Sequence, residues 1–300
     1  MGALAGGTFD RTEREAVRET VVERLRQGPG EEARQAVAAT LAGPPPSRWS
    51  LRAIRATFDH WAGLTLSGVC RALHRLDLGL RSAEVQRFSP DPDYRTKEAR
   101  LLACLRAAAA APDEIVALFL DEMGYTRWPD PAPDWGPAAP APRPLADRAG
   151  SKQQLWRMIG ALNALTGQVD TRDNYIMGRE QVSAFYRQLD HRYAAAEHVY
   201  LIQDNWSIHS HPDVLATLEA LPRLEPVWLP TYAPWLNPIE KLWRWLKQDV
   251  LKQHRLAADW RALRQRVTAF LNQFAAGSHE LLHYVGLLGD GKLAQACRVT

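Results

Sequence analysis

Leu229-Pro230-Thr231-Tyr232-Ala233-Pro234-Trp235-Leu236-Asn237-Pro238-Ile239-Glu240 is the stretch whose reading decides the fold. It runs from a strand end through a rigid turn to a helix start. Pro226 to Leu229 is a short apolar strand, prolines stiffen the turn, and Pro238 to Leu251 carries a helical pattern. Asn237-Pro238-Ile239-Glu240 makes a good helix start: Asn as N-cap, Pro at the first helical position, Glu closing a capping box. The same Glu240 is also a carboxylate delivered at a strand-to-helix junction. Both roles stay open at this point.

Two further strands lie upstream. Val199 to Gln203 ends at Asp204-Asn205, and Glu240 follows Asp204 after 35 intervening residues. Ile115 to Leu120 is a buried apolar run that ends at Asp121-Glu122. Between them, Leu155 to Leu165 and Gln168 to Tyr175 flank Thr166-Gly167 and predict a β-hairpin. Helices are expected over about Arg179 to Glu197, Asp213 to Leu221 and Asp259 to Phe274. Strand, hairpin, helix, strand, helix, strand, helix makes a mixed α/β sheet flanked by helices, compatible with a ribonuclease-H-like fold.

The region before the sheet reads as all-α. Residues 10–42 predict two helices, with Asp10 and Glu13 as a capping-box start and Gly28-Pro29-Gly30 as the break. After the stiff Gly43-Pro44-Pro45-Pro46 linker, Ser50 caps a helix with Leu51, Ile54, Phe58 and Trp61 on one face. A turn at Gly63 leads into a second helix carrying Leu66, Val69, Cys70, Leu73 and Leu76. Leu80 to Phe88 follows as an extended wing. This is a helix-turn-helix pattern, and its second helix presents Ser67, Arg71, His74 and Arg75 outward toward phosphates and base edges. Taken alone, the pattern favours a plain helical hairpin. The expected boundaries are 1–46 for an N-terminal helical segment, 47–88 for the helix-turn-helix module and 89–112 for a linker helix. The catalytic domain then spans 113–275 and a C-terminal tail 276–300.

Charge is local. The chain of 300 residues has a formal net charge of only +3. From Arg48 to Arg87, seven Arg stand against Asp59, Asp77 and Glu84; from Lys241 to Arg266, eight basic residues stand against Asp249 and Asp259. Two basic stretches on a near-neutral chain point to polyanion contact at defined places, although a solvated Arg-rich helix face accounts for either one alone. The three cysteines, Cys70, Cys104 and Cys297, are far apart and form no C-x-x-C pair, which argues against a disulfide frame or a zinc site. Arg106 interrupts the best apolar run, so no membrane span is expected, and the N-terminus lacks a leader pattern.

Three carboxylates on separate elements suggest two-metal phosphoryl transfer. Two Mg²⁺ ions about 3.5–4 Å apart can clamp the attacking and leaving oxygens of a phosphodiester, and Mg²⁺ takes oxygen ligands. In open sheets such groups gather beyond the carboxyl ends of strands. Asp121 and Asp204 are expected there, with Glu240 arriving from the following helix. Singly, each has an ordinary structural reading as loop start, turn or cap; jointly they favour a metal site, with Mn²⁺ as a substitute for Mg²⁺. Lys247, two helical turns past Glu240, shares its face and reaches toward a substrate phosphate, with Lys241 and Arg244 extending the basic side. Asn205, His209 and Asn237 are accessory candidates, His209 for orienting a water or touching DNA. Trp243, Leu246 and Val250 are assigned to the core. Gly286 to Lys292 has the spacing of a P-loop, but Leu293 stands where Ser or Thr is needed, so it reads as a turn. His209-Ser210-His211 has no acidic or Cys partner at ligand spacing in the sequence.

These motifs resemble the mariner superfamily of DDE transposases, on its bacterial insertion-sequence branch. The resemblance rests on Leu118 to Glu122, Gly160 to Gly167, Gln203-Asp204-Asn205 with His209, and Leu229 through Lys247. It covers about residues 113–275. It implies a ribonuclease-H-like catalytic domain with Asp121, Asp204 and Glu240 as the triad and metal ligands. It also implies N-terminal modules that bind the terminal inverted repeats of an element, transfer into target DNA, and a homodimer or higher synaptic complex. A cytoplasmic, nucleoid-associated bacterial protein follows. Two alternatives remain: a host nuclease or resolvase of the same fold, and a catalytically dead DNA-binding derivative.

Overall fold

The computed structural model describes residues 11–26, 49–58, 61–80, 88–134, 144–146, 148 and 152–298. The chain divides into two units, Met1–Val85 and Gln86–Thr300. The described helices of the first are α1 (Arg11–Arg26), α2 (Leu51–Thr57) and α3 (Leu66–Arg75). Ser50 Oγ accepts from Ala53 N–H at 3.2 Å, and Thr65 Oγ1 accepts from Gly68 N–H at 3.1 Å, so each of the last two helices has a side-chain N-cap. Such caps contribute about 1 kcal/mol each. Burial of Val21, Ile54, Phe58, Trp61, Val69, Leu73 and Leu76 outweighs them at roughly 1.5–3 kcal/mol per large apolar side chain. Packing therefore sets the hairpin. It leaves Ser67, Arg71, His74 and Arg75 exposed on α3. The expected second N-terminal helix, and most of the expected wing, lie outside the described residues.

In the larger unit, α4 (Tyr94–Ala110) leads into β1 (Ile115–Thr126). The strand was expected to stop at Leu120; it runs six residues further because β2 (Leu155–Asn163) pairs antiparallel along it from Leu118 to Thr126. The hairpin to β3 (Val169–Asn174) turns where expected. Asn163 Oδ1 accepts from the Leu165 and Thr166 N–H groups at 3.0 and 3.1 Å. Gly167 adopts φ +68°, where a Cβ would also lie 2.3 Å from the Ser278 carbonyl oxygen. After α5 (Arg179–Arg192) come β4 (His198–Gln203), α6 (Pro212–Glu219) and β5 (Leu224–Trp228). β4 and β5 run parallel to β1, giving the order β3-β2-β1-β4-β5.

Side chains alternate across a strand, so β1 feeds two cores. Ala117, Phe119, Met123 and Tyr125 belong to the cluster with α4 and α7 (Ile239–Leu246). Leu118 and Leu120 belong to the other, with Val182, Phe185 and Tyr186 of α5 and Val214 of α6. The helix expected to continue to Leu251 changes at Lys247 into a π-turn over Lys247–Leu251, which turns Val250 and Leu251 into the core. α8 (Trp260–Asn272) starts at Asp259, whose Oδ1 accepts from Ala262 N–H at 2.9 Å. Residues 276–300, read from sequence as a tail, instead carry α9 (His279–Val285) and α10 (Lys292–Ala296). Leu281, Leu282, Val285, Leu287 and Ala296 are buried in the first cluster; their short apolar pattern was hidden between glycines. Gly286, at φ +84°, closes α9, which makes the P-loop-like run a helix terminus. No described helix is long and apolar enough to cross a membrane.

Candidate active site

The β1–β4 pairing ends at Phe119 and Ile202. Beyond it β4 turns away, while β1 continues beside β2 alone. A crevice opens there, at the point where the sheet switches from parallel to antiparallel. Asp121 is thus inside a strand rather than after one, two residues past the last parallel pair. Asp204 follows the end of β4, and Glu240 lies in the first turn of α7. All three line one open cavity of about 570 Å³, whose wall also includes Trp206, Tyr232 and Asn237.

Asp121 is positioned by an absence. Its register partner on β2 is Gly160, and a Cβ there would meet the Trp243 ring at 2.6 and 2.8 Å. The ring fills that space, and its Nε1 donates to Asp121 Oδ2 at 3.0 Å. Trp243 was expected only as core; it is core and also the donor that orients this carboxylate. Asp204 Oδ1 accepts from Trp206 N–H at 2.9 Å, an Asx turn that holds the carboxylate against its own loop.

The capping box at Glu240 does not form. Asn237 has no side-chain bond to the α7 start: its Nδ2 donates to the Leu120 carbonyl at 2.9 Å, tying the turn to β1 instead. Asn237 is 4% exposed and its Oδ1 has no hydrogen-bond partner. Tertiary bonding to β1 has displaced the local cap, which leaves the Glu240 carboxylate to the cavity.

Electrostatics join the three groups. Burial, then the charges of Glu240 and Glu122, push the Asp121 carboxyl from 3.8 up to about 8, against a backbone hydrogen bond that opposes the shift; Asp204 adds to the rise. Glu240 is also raised, first by burial, with Lys247 and Arg244 pulling it down and Asp204 pushing it up. Lys247 and Arg244 therefore sit within electrostatic reach of Glu240. Lys241 is placed differently from them: its Nζ donates to the Val285 carbonyl at 2.7 Å, at the end of α9. Asn205 serves the cavity wall, its Nδ2 donating to the Leu229 carbonyl at 2.9 Å and to Thr231 Oγ1 at 3.3 Å.

Glu122 points to the opposite face from Asp121, as strand alternation requires. There its Oε1 lies 3.2 Å from His209 Nε2, outside hydrogen-bonding geometry. His209 is 1% exposed; its Nε2 is 4.0 Å from Asp204 Oδ1 and its Nδ1 2.9 Å from the Tyr186 hydroxyl. That hydroxyl donates to Gln203 Oε1 at 2.7 Å. Glu122, Asp204 and His209 bring ligand atoms within 4.8 Å of one another. Sequence spacing showed no acidic partner for His209 because Glu122 comes from a distant strand. A longer β1 would have been the signal.

An acidic crevice at the switch point of a mixed five-stranded sheet defines a ribonuclease-H-like α/β domain. Residues 116–264 match the DDE superfamily endonuclease model. The insertion-element and mariner resemblance read from the sequence is met at two levels. In sequence, the chain is similar to the insertion element IS630 uncharacterized 39 kDa protein of Shigella sonnei, with 26% identity over 244 residues, 78% of this chain and 68% of that protein. In fold, it is similar to the Mos1 pre-cleavage transpososome chain, with a TM-score of 0.53 and 15% identity, covering 99% of this chain and 91% of that one. It also resembles the chain of the Mos1 strand transfer complex, with a TM-score of 0.52 and 13% identity, covering 94% and 78%.

Proposed function

We propose that the protein is a metal-dependent DDE transposase. It would cut DNA at the inverted-repeat ends of an insertion element and join the freed ends to target DNA. The observation that carries this reading is the convergence of Asp121, Asp204 and Glu240 on one open cavity. The insertion-element relative and the transposase folds support it.

The donor set fits a hard divalent cation. It is all oxygen, it holds a carboxyl raised by burial and by its acidic neighbours, and beside it lies the unpartnered Asn237 Oδ1. Asp121, Asp204 and Glu240 are the residues that would hold Mg²⁺ or Mn²⁺, which supplies Lewis-acid activation of water and of the phosphate. Trp243 fixes the Asp121 carboxylate, and the Trp206 amide fixes that of Asp204. Lys247 and Arg244 offer positive charge to the phosphate beside Glu240. Ser67, Arg71, His74 and Arg75 on α3 would contact the duplex of the inverted repeat. Double-stranded DNA is then the partner, held by a homodimer or higher synaptic complex in the bacterial cytoplasm.

The decisive variant is Glu240→Gln, tested on DNA carrying the repeats that flank the gene. It should bind that DNA like the parent protein yet show no Mg²⁺-dependent nicking. Nicking at the parent rate would remove Glu240 from the chemistry and the transposase reading with it.

A further inference from the structure

The lip of the acidic cavity holds its most exposed aromatic side chain in an unfavourable backbone conformation. Tyr232 is 78% exposed and adopts φ +54°, a region that a residue with a Cβ enters only when its surroundings impose it. The surroundings do impose it. On one side, Leu229 N–H donates to the Gln203 carbonyl at 2.8 Å, and the Leu229 carbonyl accepts from Asn205. Next to Tyr232, Thr231 N–H donates to Asp91 Oδ2 at 2.8 Å and the Thr231 carbonyl accepts from Ser89 Oγ at 2.5 Å. Asp91 is itself 9% exposed and held by Lys97 Nζ at 2.8 Å and by the Asp93 N–H at 2.9 Å. On the far side, Pro234–Leu236 forms a 3₁₀ turn and Asn237 is tied to β1.

The segments on both sides are anchored, and the ring projects. An exposed tyrosine ring gains nothing from solvent, so the hub that holds it there serves something other than the core. Tyr232 lines the same cavity as the three carboxylates. From this geometry we infer that Tyr232 is a stacking platform for an unstacked nucleobase, next to the phosphate that the acidic residues address. This rests on the transposase reading for the identity of the ligand as DNA. A ring in a rigid lip accepts any base by its π-face, so the contact adds affinity and register without sequence preference.

The test separates base from backbone. Affinity of the full chain is measured at low salt by fluorescence anisotropy for a deoxyadenosine octanucleotide and for an abasic octamer of equal charge. The parent protein should prefer the base-bearing strand. Tyr232→Ala should shrink that preference by roughly 5- to 150-fold, the range expected for one base–aromatic stack, while its affinity for the abasic strand stays as in the parent. Tyr232→Phe, which keeps the ring, should restore the preference. Tyr232→Gly should lose the preference yet melt at a higher temperature, since glycine relieves the positive φ; a variant that had merely unfolded would melt lower. An equal preference in the parent and Tyr232→Ala overturns the inference, as does a parent that binds both strands alike or neither. Failure of the Glu240 nicking test alone would overturn transposition and leave this binding difference standing.

Discussion

Asp121 is the residue on which the chemistry of the cavity turns, because burial and its acidic neighbours work against its charge. Its folded-state carboxyl is raised from 3.8 to about 8, so the native protein binds a proton that the unfolded chain has released. Its contribution to stability is therefore full below about pH 4 and is lost as pH rises toward 8. Asp121→Asn removes this dependence. In a chelator, the melting temperature of the variant should pull ahead of the parent as pH rises from about 4, and the gap should stop growing above about 8. Adding Mg²⁺ at pH 8 should raise the parent's melting temperature and close the gap, since a ligand that binds only the native state stabilises it. A gap that ignores pH, or a parent indifferent to Mg²⁺, would contradict the role given to Asp121.

At the scale of elements, the site depends on the approach of α7 to the β1–β2 ladder. Gly160 is the point of contact: the Trp243 ring occupies the space a side chain would take, and from there holds Asp121. Gly160→Ala should overpack this contact and destabilise the protein by about 1–3 kcal/mol. Urea denaturation reads that change. Nicking should fall further than lost stability explains, because the ring cannot shift without releasing Asp121. A variant as stable and active as the parent would show that the contact is slack. The same elements show what was legible in advance. Strand, hairpin and helix order were read correctly because each has its own local periodicity. The extension of β1 past Leu120 was missed because its cause is pairing with β2. The cap expected at Asn237 does not form, because the side chain reaches β1 instead.

For the whole molecule, the question is which basic residues meet DNA. Losing one phosphate contact lowers the slope of log affinity against log salt by about 0.9 for duplex DNA. Lys247→Ala should show a change of that size on end-bearing DNA, and Arg71→Ala combined with Arg75→Ala about twice as much. Lys241→Ala should change the slope less than Lys247→Ala, since its ammonium serves the Val285 carbonyl, and should instead lower the melting temperature. An unchanged slope for Lys247→Ala would return that residue to an ordinary solvated face.

Residue order alone determined the ribonuclease-H-like class, the helical hairpin of the first unit and the identity of three carboxylates worth joining. Hydrophobic period, turn chemistry and helix-start residues act over a few positions, so they survive in a linear reading. Only the tertiary structure decided that Asp121 and Glu122 face opposite sides of one strand, and that Trp243 aims the first of them. Tertiary contacts also released Glu240 from its cap and fastened Tyr232 to the cavity lip through Asp91. Each of these depends on a contact between residues far apart in the chain, whose distance no spacing along the sequence encodes.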